Sequence, residues 1–189
     1  MSSVGWLSNP LKVPGTANCD EVEVARHAMA LDERRAFFRT NRIGTVGRRS
    51  VTQTGDLKEV WFAGVHSDVG GGYAAEVDPS RELWRFSLGW MLREAEHAGL
   101  RIDHAARDKL LAGVPDPDAS RHESLLGWWN LAEFVPKKVR MRQPDGTWKT
   151  GWHVNLFRGR VPRPGDRIHS SLAMRRGQAG RVPDAVVEE

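Results

Sequence analysis

His66 is the residue in this sequence best placed to do chemistry. It lies within EVWFAGVHSDVGGGY, residues 59–73, at the exit of the apolar run Val60-Trp61-Phe62-Ala63-Gly64-Val65. That run is too short for a helix and rich in β-branched and aromatic residues. It reads as a strand buried on both faces, as in a parallel sheet. In open α/β sheets, sites collect at the carboxyl ends of strands. A histidine at such an exit combines a fixed position with an accessible ring that titrates near neutrality, which a general base needs. Gly70, Gly71 and Gly72 then let the backbone approach a ligand and take unusual dihedrals. On the residues alone, a purely structural histidine fits the same position. His66 and Asp68 also form an H-x-D pair, but that supplies two ligands where a catalytic zinc takes about three. The glycines lack the G-x-x-x-x-G-K-[ST] frame and open no dinucleotide fingerprint, so neither metal nor cofactor is expected. His27, His97, His104, His122 and His169 read as structural or solvent-facing.

The surrounding elements must hold His66. Residues 21–38, EVEVARHAMALDERRAFF, read as a helix with Val24, Ala28, Leu31 and Arg35 on one face. Residues 39–57 read as a loop, and 66–73 as the loop that carries the motif. Residues 80–98 give the clearest helical pattern, with Leu83, Ser87, Trp90 and Met91 as its stripe, Asp78 or Ser80 at its start and Gly99 at its stop. Strand, short loop, helix is α/β grammar. Residues 103–113 read as a further short helix and 122–134 as a short amphipathic one. Residues 139–158 suit a hairpin around Pro144-Asp145-Gly146. The last ten residues read as frayed. Trp84, Trp90, Trp128 and Trp129 read as packing residues rather than a lipid-binding face.

The chain has 189 residues, 40% hydrophobic and 28% charged, as a soluble globular domain requires. Cys19 is the sole cysteine, which excludes an internal disulfide and a multi-cysteine metal site. No apolar run is long enough to cross a membrane, and the N-terminus has no signal-peptide pattern, so a cytoplasmic protein is expected. Residues 1–100 carry 12 Lys+Arg against 13 Asp+Glu, net −1, and residues 101–189 carry 16 against 11, net +5. The basic second half suits a solvated arginine-rich surface, with an anionic membrane or nucleic acid as the alternative partner.

Residues 59–73 followed by LWRFSLGWMLREAEHAGL, residues 83–100, resemble the uncharacterised α/β-hydrolase family that includes the type VI secretion phospholipase effectors. ARHAMALDERRAFF (25–38), HESLLGWWNLAEFVPKK (122–138) and RIHSSLAMRR (167–176) match further family segments in order. The resemblance implies Ser-His-Asp hydrolysis of carboxylic esters, with phospholipids as the substrate class and type VI export if the chain is part of an effector. His66 would take the serine proton and return it to the leaving alcohol. Asp68 would orient the loop through backbone contacts, and Gly70, Gly71 and Gly72 would shape it.

The sequence departs from the family at the nucleophile. No serine stands in a G-x-S-x-G frame; Ser3, Ser50, Ser67 and Ser87 all fail. The family's acid lies just before a segment resembling Ser3-Val4-Gly5-Trp6. The expected fold is therefore α/β: the C-terminal portion of an α/β-hydrolase-like parallel sheet with flanking helices over residues 1–114. Residues 115–189 are expected as an irregular basic C-terminal extension packed on it. Such a fragment would expose Trp61, Phe62 and Val65 at an unpaired edge. It would seek a complementary N-terminal hydrolase fragment as partner and show negligible esterase activity alone. The alternatives are a non-catalytic interaction module and, third, a binder of nucleic acid or anionic surfaces, with no specific nucleic-acid partner expected.

Overall fold

The computed structural model describes residues 22–36, 38, 40, 42–43, 56–113, 115–127, 129–142, 147–178, 181–182 and 184–189. Strand β1 (Val24–Ala30) pairs in parallel with β2 (Asp56–Phe62), in register from Val24 opposite Asp56 to Ala30 opposite Phe62. β2 pairs in parallel with β5 (Arg167–His169), and β5 with β6 (Val186–Glu188). The four-stranded order is β1-β2-β5-β6. The architecture is α/β with a parallel sheet and flanking helices: α1 (His66–Gly70), α2 (Trp84–His97), α3 (His104–Leu110), α4 (Trp129–Ala132) and α5 (Ser170–Met174). A separate antiparallel ribbon joins β3 (Lys137–Arg142) and β4 (Trp148–His153).

The helix expected over 21–38 is instead β1 and the turn after it. Ala, Arg, Met and Glu favour helices locally, but the pairing with β2 overrides that preference. Two-residue alternation then sends side chains to both faces. Ala28 and Ala30 join Val60, Phe62, Val69, Phe86 and Trp90 on one side. Met29 and Leu31 join Trp61, Ala63, Ile168, Leu172 and Val182 on the other. The sheet is thus buried on both faces, as the apolar run within β2 requires.

The strand reading of that run holds, with β2 starting at Asp56 inside the expected loop and ending at Phe62. Trp61, Phe62 and Val65 do not form an exposed edge. All three are buried, because β5, drawn from the far end of the chain, covers the flank of β2. The segment after 115 is likewise not irregular: it supplies β5, α5 and β6 to the same domain sheet, and β6 replaces the frayed tail. Strands of three residues are too brief to leave a periodic signal. Among the described residues of 122–134, only Trp129–Ala132 is helical.

The helix expected over 80–98 is α2, entered through a 3-10 turn Pro79–Arg81 that Asp78 caps by accepting from the Ser80 amide at 3.0 Å. Its buried stripe runs through Ser87, Gly89, Trp90 and Glu94, while Met91 lies off it. Glu94 pairs with Arg26 of β1 and with Lys58 of β2 at 2.8 Å, pinning the helix across two strands. The expected hairpin is the β3–β4 ribbon; its turn, with Pro144-Asp145-Gly146, lies outside the described residues.

Candidate active site

Parallel pairing brings the carboxyl ends of β1, β2 and β5 to one side, and the polar residues collect there. The connections after β1 and β2 are laced together. Leu31 donates its amide to the Phe62 carbonyl at 2.9 Å, and Asp32 donates to the Gly64 carbonyl at 3.0 Å. The buried Asp32 carboxylate accepts the Gly64 amide at 2.8 Å, and also holds Arg121 at 2.7 Å and Arg181 at 2.6 Å. Gly64 sits at φ +102°, and a Cβ there would stand 2.4 Å from the Asp68 Cβ. Only glycine allows this turn out of β2.

His66 opens α1, so the expected motif loop begins as a short helix. Its ring is half-buried and lies 5.1 Å from the Phe38 ring at a tilt of 49°. Its backbone amide donates to Glu33 Oε2 at 3.1 Å. Burial is the largest influence on the ring and pushes its pKa below the ordinary histidine value; Glu33 opposes this, and Arg160 and Arg35 add to it. The imidazole is therefore neutral at neutral pH and can accept a proton. Among the described residues, no carboxylate hydrogen-bonds the ring.

Glu33 is the organiser behind His66. Only 1% exposed, it accepts from the Arg34 amide at 3.1 Å, the Arg35 amide at 2.9 Å, the Arg35 guanidinium at 3.0 and 2.7 Å, and the Ser124 hydroxyl at 3.2 Å. Burial alone would raise its pKa, but the Arg35 side chain, its amide and its charge, with the His66 amide, pull it down to about 2. Arg160 reaches the same region, donating to the Ala30 carbonyl at 2.5 Å and to the Phe38 carbonyl. Burial lowers its pKa to about 10.

Asp68 bonds to Val65 and His122. Buried at 3% exposure, it accepts the Val65 amide at 2.9 Å and the His122 amide at 3.2 Å, and its other oxygen lies 2.6 Å from His122 Nδ1. The His122 ring stacks on Tyr73 at 3.7 Å, and its Nε2 is 3.8 Å from Glu76. Asp68 thus fastens the motif to the 122 segment. Gly71 and Gly72 take φ +76° and +119° and turn the chain out of α1, whereas Gly70 ends the helix without positive φ. A Cβ at Gly70 or Gly71 would meet nothing within 4 Å, so neither serves a close approach; at Gly71 the positive φ is what favours glycine. His169 is buried at the end of β5 and stacks on Phe62 at 4.7 Å. Its Nδ1 accepts the Ser171 amide at 3.2 Å, an N-cap of α5, and lies 2.8 Å from the Ser171 hydroxyl. Burial, with Arg93, lowers its pKa to about 4. This buried His–Ser pair caps α5.

Sequence reading missed Asp32 and Glu33, and it read His122 as structural without finding its partner Asp68. The first two were hidden by reading their segment as helix; the alternation in EVEVARHAMA was the signal that would have placed them after a strand. His122 carried no local signal, since its partner is 54 positions away. Among the described residues, no group of three or more His, Cys, Asp or Glu side chains is placed to hold a metal.

One comparison falls on the motif-bearing half. Residues 2–94 match the family described as T6SS, phospholipase effector Tle1-like, catalytic domain. Over that stretch the chain is similar to this family. The match covers β1, β2, α1 and most of α2. A 72-residue stretch is 40% identical to an uncharacterised protein of Saccharomyces cerevisiae. That match takes in 38% of this chain and only 11% of the yeast protein's length. No solved structure matches. No helix among the described residues is long and apolar enough to cross a membrane.

Proposed function

We propose that this chain supplies the histidine-bearing part of a phospholipase-type serine hydrolase, with His66 as its general base. The observation that carries the reading is the placement of His66: a neutral, half-buried imidazole at the carboxyl end of β2, its backbone clamped by Glu33. In the reaction, a serine Oγ bonds to the ester carbonyl carbon as its proton passes to the imidazole. The carbon–oxygen bond to the leaving group then breaks, and the proton goes to the departing alcohol. Water repeats the sequence on the acyl-serine and frees the carboxylate.

The serine is not within these 189 residues in any elbow frame, so a complementary segment must bring it with the orienting acid. The chain alone then hydrolyses p-nitrophenyl butyrate no faster than buffer. Mixing it with a G-x-S-x-G-bearing half from another family member restores turnover, which His66→Ala abolishes. Turnover by the chain alone that His66→Ala removes would show that a nucleophile lies within it. Turnover in the mixture that survives His66→Ala would take His66 out of the mechanism. A cooperatively folded chain that gains no activity from any such half would favour the non-catalytic module.

A further inference from the structure

Half-buried arginines of this chain have carboxylates to spare. Arg26 meets Asp56 and Glu94, and Arg42 meets Asp166 and Glu59. Asp32 reverses the ratio. Its oxygen Oδ1 accepts from Arg121 Nη1 at 2.7 Å and from Arg181 Nη1 at 2.6 Å, while Oδ2 takes the Gly64 amide. Among the described residues, neither arginine has a second carboxylate at ion-pair distance. Two guanidinium groups thus meet on a single oxygen, with one negative charge between them. Asp32 is buried, whereas the Arg121 and Arg181 side chains are 46% and 38% exposed.

Both arginines ride on fastened chain. Arg175 Nη1 donates to the Pro117 and Ala119 carbonyls at 2.5 and 2.8 Å, and the Arg176 amide donates to Asp118 Oδ1 at 2.8 Å. These bonds tie the segment before Arg121 to the segment before Arg181. Arg181 Nη1 also donates to Gln178 Oε1 at 2.9 Å. The acids near Arg121 in sequence are engaged elsewhere: Asp118 pairs with Arg176, and Glu123 accepts the Leu125 amide. Asp32 and its neighbour Glu33 face Arg121, Arg181 and Arg35 by contact, and Arg160 adds a charge felt by Glu33 and the His66 ring. Cations therefore outnumber acids at this end of the sheet, which favours an anion there.

We propose that Arg121 and Arg181 together hold a phosphoryl group of a small ligand at the carboxyl ends of β1 and β2. Asp32 is the spacer: it brings the two guanidinium groups together without cancelling both charges. Each arginine spends only its Nη1 on the described residues, which leaves Nε and Nη2 as donors. A guanidinium fork binds an oxyanion in a bidentate way, and a phosphoryl group has oxygens for two forks where a carboxylate fills one. The carboxyl ends of strands are also where ligands bind open α/β sheets. Asp32 stands on the connection that carries Glu33, and its partner Gly64 stands on the one that carries His66. Anion binding is measured without turnover, so it stands or falls apart from the role of His66.

The test is calorimetric titration of the whole chain with inorganic phosphate at fixed ionic strength, with acetate and dimethyl phosphate as comparison ligands. Saturable phosphate binding is expected, tighter than that of acetate. Arg121→Gln and Arg181→Gln should each weaken it about tenfold, as the loss of a charge-assisted hydrogen bond implies. Arg101→Gln removes an exposed arginine outside the cluster and should leave binding unchanged. Each single variant at the site keeps the other guanidinium and the Gly64 amide on Asp32. A measurement on the wild-type chain needs no variant to fold: phosphate should protect Arg121 and Arg181 from phenylglyoxal, read by peptide mass spectrometry. Binding of dimethyl phosphate as well would support the site and extend its ligands to phosphodiesters. Absence of phosphate binding, acetate bound as tightly as phosphate, equal weakening by Arg101→Gln, or unchanged labelling of both arginines would each overturn the proposal.

Discussion

Replacing Glu33 by Gln should remove most of the acid-sensitive stability that the His66 site contributes. The Glu33 carboxyl titrates at about 2 in the folded chain, against 4.5 for an ordinary glutamate. At about 1.4 kcal/mol per pK unit, this difference is worth about 3 kcal/mol near neutral pH. The sign follows from the depressed value. The stabilisation is fully present above the unfolded value of 4.5, and it is lost as pH falls from there toward about 2. Against the marginal stability of a domain this size, 3 kcal/mol is a large fraction. Urea unfolding, followed by tryptophan fluorescence at several pH values from neutral to acid, measures it for both proteins. Glu94 and Asp166 also have depressed values, but they acid-destabilise both proteins alike, so the difference between the two curves isolates Glu33. The expected outcome is a gap of about 3 kcal/mol near neutrality that closes as pH approaches 2. Glu33 also raises the His66 pKa, so its neutralisation should lower the His66 titration further. Parallel unfolding curves for the two proteins from neutral pH to acid would refute this account of Glu33.

Three further outcomes follow from the same geometry. Gly64→Ala should destabilise by about 2 kcal/mol or more, since it adds a Cβ 2.4 Å from the Asp68 Cβ at a φ of +102°; an unchanged urea midpoint would contradict the close approach. Asp68→Ala leaves the Val65 amide and His122 Nδ1 without their acceptor, which should cost about 2 kcal/mol and speed hydrogen exchange at Val65, whereas unchanged exchange there would mean that Asp68 does not hold the turn. His169, neutral in the native chain down to about 4, should make stability fall as pH drops from the unfolded value of 6.5 toward 4, and an NMR midpoint for its ring near 6.5 would show that it is not sealed.

The sequence carried the motif and its support in readable form. Val60, Trp61 and Phe62 announce a buried strand by their type, Asp78 and Gly99 bracket α2, and the hairpin expected over 139–158 is present as the pairing of 137–142 with 148–153, because each signal lies within a few positions of the element it sets. The fastening of the site was not readable. β1 carries helix-favouring residues, and only its seven-residue register with β2 makes it a strand; that register places Asp32 and Glu33 beside the β2 exit. β5 is three residues long, yet it closes the flank of β2 from more than a hundred positions away. Asp68 finds His122 across 54 positions, and Glu133 finds Ala36 across 97. Local chemistry set the strand that ends just before His66. Distant chain segments chose its surroundings, because a buried charge or an unpaired strand edge is satisfied only by whichever partner folding brings to it.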